Sequence, residues 1–97
     1  MMASVLPKEG KKEIHSGYGA WNLILHNDDH NTFDWVIESL VEVCGHEPIQ
    51  AEQATYLVHY KGRACVKTGD FSTISDMREQ LIARGLSATV EDADEGL

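Results

Sequence analysis

Three apolar stripes at helical spacing, each closed by a glycine, constrain this chain more than any other feature. Phe33, Val36, Ile37, Leu40, Val41 and Cys44 recur at i, i+3, i+4, i+7, i+8 and i+11 and stop at Gly45. Asn31 or Thr32 is the expected N-cap of that helix, and Asp34 just inside suits its dipole. Pro48 opens a second helix that runs to Gly62, with Ile49, Ala54, Leu57 and Val58 as its expected buried side. Ile74, Met77, Leu81 and Ile82 form a third stripe ended by Gly85, and Thr73 with Asp76 predicts a capping-box start. Between the stripes lie short strand-like runs. In AWNLILH, residues 20–26, Trp21, Leu23 and Leu25 share one face and Ile24 takes the other. Residues 64–68 place Val66 inward, and Leu86, Ala88 and Val90 alternate. The order β-α-α-β-α-β predicts an α/β two-layer sandwich, a three-stranded sheet packed on three helices.

The chain has 97 residues, the length of one small domain. Residues 1–17 lack any period and read as a flexible extension, residues 18–92 as the folded domain, and residues 93–97 as an acidic tail. Sixteen acidic residues against eight basic ones give a formal charge of −8. That sign opposes a general nucleic-acid role and suits a cationic partner. Cys44 and Cys65 form no CxxC pair and no zinc spacing; both fall in apolar segments and are expected to be buried free thiols. Without a secretory signal or a run of about 20 apolar residues, the chain is expected to be cytoplasmic and off the membrane; it is also expected to be monomeric.

Between the first strand and the first helix stand Asn27, Asp28, Asp29 and His30. As metal ligands they lack an accompanying HExxH, Cys/His or EF-hand pattern. Phosphate at the helix N-terminus would meet two carboxylates and no glycine-rich loop. Paired-carboxylate catalysis needs two groups about 5–9 Å apart across a cleft, which consecutive aspartates do not provide. Two readings stay open at this point. The residues form a structural Asx turn, or their acceptor oxygens hold an ammonium group beside an apolar hollow formed by Phe33, Val36 and Val58.

"LHNDDHNTFDWVIESL" followed by "QATYLVHYKGRACV" resembles the ClpS family, the adaptors of bacterial Clp proteases for the N-end rule. The family's first motif, Asn-Asp-Asp-x-Thr-Pro-Met-Glu-Phe-Val, corresponds to residues 27–36 here, and its His-Tyr-x-Gly corresponds to residues 59–62. The spacing between the motifs matches without a gap. The resemblance implies an adaptor, not an enzyme, that needs no metal or cofactor. Such an adaptor binds a substrate's bulky N-terminal Leu, Phe, Tyr or Trp and delivers it to a Clp ATPase (ClpA- or ClpC-like), docking on that ATPase's N-terminal domain. By the same resemblance Asn27, Asp28 and His59 hold the α-amino group and Asp29 stands at the rim. Asn31, Phe33, Val36, Thr55 and Val58 border the pocket, and Arg78 is a candidate for ATPase docking. The extension would help transfer substrate to the ATPase. Phe33 replaces the family's Met and Asn31-Thr32 its Thr-Pro, while Thr55 stands where the family often has a larger apolar residue. A stiff ring at Phe33 is expected either to narrow the pocket or to re-rank Leu against Trp, and the smaller Thr55 to offset it by enlarging the floor. Two competitors follow: a ClpS-like regulator whose pocket Phe33 closes, and a small metal-dependent enzyme built on Asp28, Asp29 and His30.

Overall fold

The computed structural model describes residues 19–93. The expected extension, with His15, and residues 94–97 of the expected acidic tail lie outside them. Element order is β1 (Trp21–His26), α1 (Phe33–Cys44), α2 (Pro48–Lys61), β2 (Arg63–Gly69), α3 (Phe71–Ala83) and β3 (Ser87–Asp92). This is the β-α-α-β-α-β order read from the sequence. The strands form one antiparallel sheet, ordered β2-β1-β3. The α2 helix packs on β2 and α3 on all three strands, while α1 lies mainly against α2 and α3.

The apolar spacing places the core between sheet and helices. Leu23 and Leu25 of β1 meet Leu40, Val43 and Cys44 of α1, Ile74 and Leu81 of α3, and Val58 of α2. Ile24 is buried as well but points away from that cluster, between its cross-strand partners Cys65 and Thr89. The β1–β2 register jumps from Leu23↔Lys67 to Ile24↔Cys65, so Val66 is the extra residue of a β-bulge. Val66 is inward, as its position in the sequence predicts. Its carbonyl, displaced from the ladder, accepts a 2.7 Å hydrogen bond from His46 Nε2.

Four local expectations need correction. The α3 helix is capped by Asp70, whose carboxylate accepts from the Thr73 backbone N–H at 2.8 Å, so it begins three residues before the Thr73 start read from the sequence. The buried side of α2 is Ala51, Thr55 and Val58; Ile49 is 61% exposed and Leu57 also faces out. Small residues on the inner side let α2 lie close to its neighbours, and the larger apolar ones are left outside. Cys44 is a buried free thiol, its ionisation pushed up to about 11 by burial despite Lys67 nearby. Cys65 is free but exposed, because its place on edge strand β2 turns it from the core. Ile82 of the third stripe is also exposed. Among the described residues no helix is long and apolar enough to cross a membrane.

Candidate functional site

The polar turn is held at three points. The Asn27 backbone N–H donates to the Gly62 carbonyl at 2.9 Å, joining the turn to the C-terminal end of α2. Gly62 caps α2 at φ 87°, a conformation that favours glycine, and His59 sits in the last turn of that helix. The Asn31 side chain donates to the Gly85 carbonyl at 3.0 Å, and Trp35 Nε1 donates to the Arg84 carbonyl at 2.9 Å. The Arg84 segment therefore borders the turn.

Asp28 organises the turn. One carboxylate oxygen accepts from the backbone N–H groups of His30, at 2.8 Å, and Asn31, at 2.9 Å. The other accepts from Asn31 Nδ2 at 2.9 Å. The structural Asx turn is thus real, and it does not compete with a binding role: two oxygens offer about four acceptor positions, of which three are used. Partial burial pushes this carboxyl up, but the side-chain and backbone hydrogen bonds from Asn31, the backbone bond from His30 and the His30 ring outweigh it. The net result lies below the usual carboxylate value, so Asp28 stays charged well into acid.

Thr32 is the N-cap of α1: its hydroxyl accepts from the Trp35 N–H at 3.1 Å, and Asn31 is spent on Asp28 and Gly85 instead. Thr32→Ala is expected to destabilise the domain by about 1 kcal/mol. For a chain of this size that is a fall in melting temperature of roughly 4–8 °C. An unchanged melting curve would mean that water caps the helix equally well.

Beside the turn is an open cavity of about 150 Å³. Every residue that the sequence reading assigned to amine binding or to the pocket lines it: Asn27, Asp28, Asp29, His59, Asn31, Phe33, Val36, Thr55 and Val58. Leu25, His26 and Leu86 line it too, and were not foreseen there. Leu25 and Leu86 carried only the signal of strand alternation, which cannot tell a core floor from a pocket floor. The lining holds two carboxylates and no lysine or arginine, so it suits a cation and disfavours phosphate. Thr55 is buried, and its hydroxyl donates back to the Ala51 carbonyl at 2.8 Å, leaving no donor free on that wall. Phe33 does not close the cavity. Its ring leans edge-on against Tyr56 and His59, with centroids 5.2 and 5.4 Å away.

Arg78 is elsewhere. It lines a shallow groove with Phe71, Ser75, Thr89 and Val90, and its Nε donates to the Ala88 carbonyl at 3.1 Å. Among the described residues no three His, Cys, Asp or Glu side chains are placed to share a metal ion, Asp28, Asp29 and His30 included.

Comparison with known proteins returns one family. The profile described as "ATP-dependent Clp protease adaptor protein ClpS" matches residues 18–89. The ClpS adapter of Thermosynechococcus vestitus is 33% identical over 87 residues, which is 89% of this chain and 93% of that one. The ClpS adapter of Nostoc is 33% identical over 85 residues, covering 87% and 88%. Among solved structures, Agrobacterium tumefaciens ClpS2 bound to L-phenylalaninamide superposes with a TM-score of 0.67. It covers 76% of this chain and 96% of that one at 19% identity, a likeness of fold. The chain therefore belongs to the ClpS family, the adaptor proteins of the ATP-dependent Clp protease.

Proposed function

We propose that this adaptor captures proteins by a bulky apolar first residue and delivers them to a Clp ATPase for degradation. The observation that supports the reading is the juxtaposition at the cavity: Asn27, Asp28 and His59 line it together with the apolar Leu25, Val36, Val58 and Leu86. A free chain terminus presents the matching pair of groups, an ammonium with three donors and a side chain one carbon away. Asn27 and Asp28 supply acceptor oxygens, and His59 reaches the same group directly or through water. Asp29 adds negative charge at the rim without needing direct contact. The chain contributes recognition alone in this scheme, and no bond is made or broken.

Size supports the reading. A cavity of about 150 Å³ lined by apolar side chains takes a benzene ring in other proteins. Phe, Tyr and Leu suit that volume; Trp is at its limit. L-phenylalaninamide, the ligand of the Agrobacterium ClpS2, has a primary amine and a benzyl group, the same two features. Burial of one large side chain contributes roughly 1.5–3 kcal/mol. Charge-assisted hydrogen bonds contribute about 1.5–3 kcal/mol each, against the entropy of association. A complex on the order of −8 kcal/mol, near micromolar, permits both capture and release.

For the ATPase, we assign the N-terminal domain as the docking partner and the groove at Arg78 as a candidate contact. The testing experiment is a titration of free-N-terminus peptides beginning with Leu, Phe, Tyr, Trp or Ala. Binding of the bulky set and not of Ala supports first-residue capture. Equal, weak binding of all five would reduce the chain to a regulator that only docks on the ATPase.

A further inference from the structure

Phe33, Tyr56, His59 and Tyr60 form a continuous run of rings. Edge-to-face contacts join Phe33 to Tyr56 at 5.2 Å, Phe33 to His59 at 5.4 Å and His59 to Tyr60 at 5.9 Å between centroids. Tyr56 and Tyr60 lie four residues apart on α2 and so share one side of it. All three large rings are open to solvent: Phe33 is 36%, Tyr56 47% and Tyr60 81% exposed. This surface is wasted in the fold, since none of these rings belongs to the core cluster. Exposed, mutually supported aromatic rings are the composition of recognition surfaces, because tyrosine gives large contact area with few torsions to freeze.

The run starts inside the binding site and leaves it. Phe33 and His59 line the cavity, whereas Tyr56 and Tyr60 do not. Resting on the first-residue reading above, we propose that this shelf receives the second and third residues of the captured chain and favours flat or apolar side chains there. Connectivity carries the argument. Successive Cα atoms are about 3.8 Å apart, so residues two and three must lie within about 8 Å of the first. That distance spans one ring spacing beyond the rim. The other exposed part of the lining, Asn27 to Asp29, is polar and acidic and offers an apolar side chain little to cover. On the shelf, aromatic and aliphatic side chains bury area, and an arginine guanidinium stacks over a ring face. The second-position classes expected to bind best are therefore aromatic, leucine-like and arginine.

The test uses the full chain and peptides Phe-X with a common tail, X being Gly, Leu, Tyr or Arg. The measured quantity is the ratio of the affinity for each X to that for Gly. The wild type is expected to prefer Tyr, Leu and Arg over Gly by roughly two- to tenfold, the range of a single aromatic contact. In Tyr60→Ala and Tyr56→Ala those ratios fall toward one, and in Tyr60→Phe, which keeps the ring, they persist. Ratios near one in the wild type, or ratios untouched by both alanine variants, overturn the shelf while leaving first-residue capture standing. If no Phe-X peptide binds at all, including Phe-Gly, first-residue capture itself fails and the shelf fails with it.

Discussion

Acetylating the N-terminus of a Phe-first peptide is expected to weaken its binding by a factor of about 10² to 10⁴. The estimate follows from the rim. In the proposed grip, removal of the ammonium would take away at least two charge-assisted hydrogen bonds of about 1.5–3 kcal/mol each, and every 1.4 kcal/mol is tenfold. It also leaves the Asp28 carboxylate facing an uncharged amide. An acetylated peptide that binds as well as the free one would remove the charge-based grip. The pH profile tests the same grip by titration. A free α-amino group has a pKa of about 7.7–8.0, so affinity is expected to decline as pH rises past 8. On the acid side the relevant group is Asp28, whose folded-state value lies below its ordinary 3.8. A depressed carboxyl contributes stability that is fully present above the unfolded value and is lost as pH falls through the folded one. The turn and the rim charge should therefore survive to below pH 3.8 and fail together there. Binding that already falls between pH 5 and 4 while the fold persists would assign the acid limb to another group.

Leu25→Ala is expected to cost about 2–5 kcal/mol of stability, a large share of the roughly 5–15 kcal/mol of a typical domain. Leu25 is on the central strand, buried, and its cross-strand neighbours are Ala64 on one side and Ala88 on the other. Neither alanine can expand into the vacated space, so the hole stays. Because Leu25 also lines the cavity, that hole deepens the pocket, and the affinity for Trp-first peptides should rise relative to Leu-first ones. Urea unfolding reads the first effect and peptide titration the second. A loss below about 1 kcal/mol would mean that the sheet closes over the gap. Should the variant be too unstable to titrate, Leu25→Val removes less volume and keeps the question of pocket depth measurable.

The two effects share a cause, since the wall of the site is the edge of the core. That is why the sequence was readable for one part of the site and silent for another. Asn27, Asp28 and His59 stood out because polar groups interrupt an apolar pattern, and because the motif spacing resembles a family. Leu25 and Leu86 did not stand out, since a pocket floor and a core have the same composition. The outward Ile49 and Leu57 were read as buried because a helix with apolar residues on several sides gives no unique face. The Asp70 cap was missed because Thr73 and Asp76 imitate a capping box three residues later.

Local chemistry by itself determined the elements of this protein. Apolar period fixed three helices and three strands, glycines fixed where the helices stop, and the Asp28 turn is built from bonds to residues within three positions of it. Those terms depend on near neighbours and are written in the order of residues. Tertiary structure decided what the turn faces. The Asn27–Gly62 and Asn31–Gly85 bonds bring the end of α2 and the start of β3 to the same point, and a cavity opens where they meet. A hollow is a shortfall of packing among elements distant in sequence, so its volume depends on how the layers settle and on no single segment.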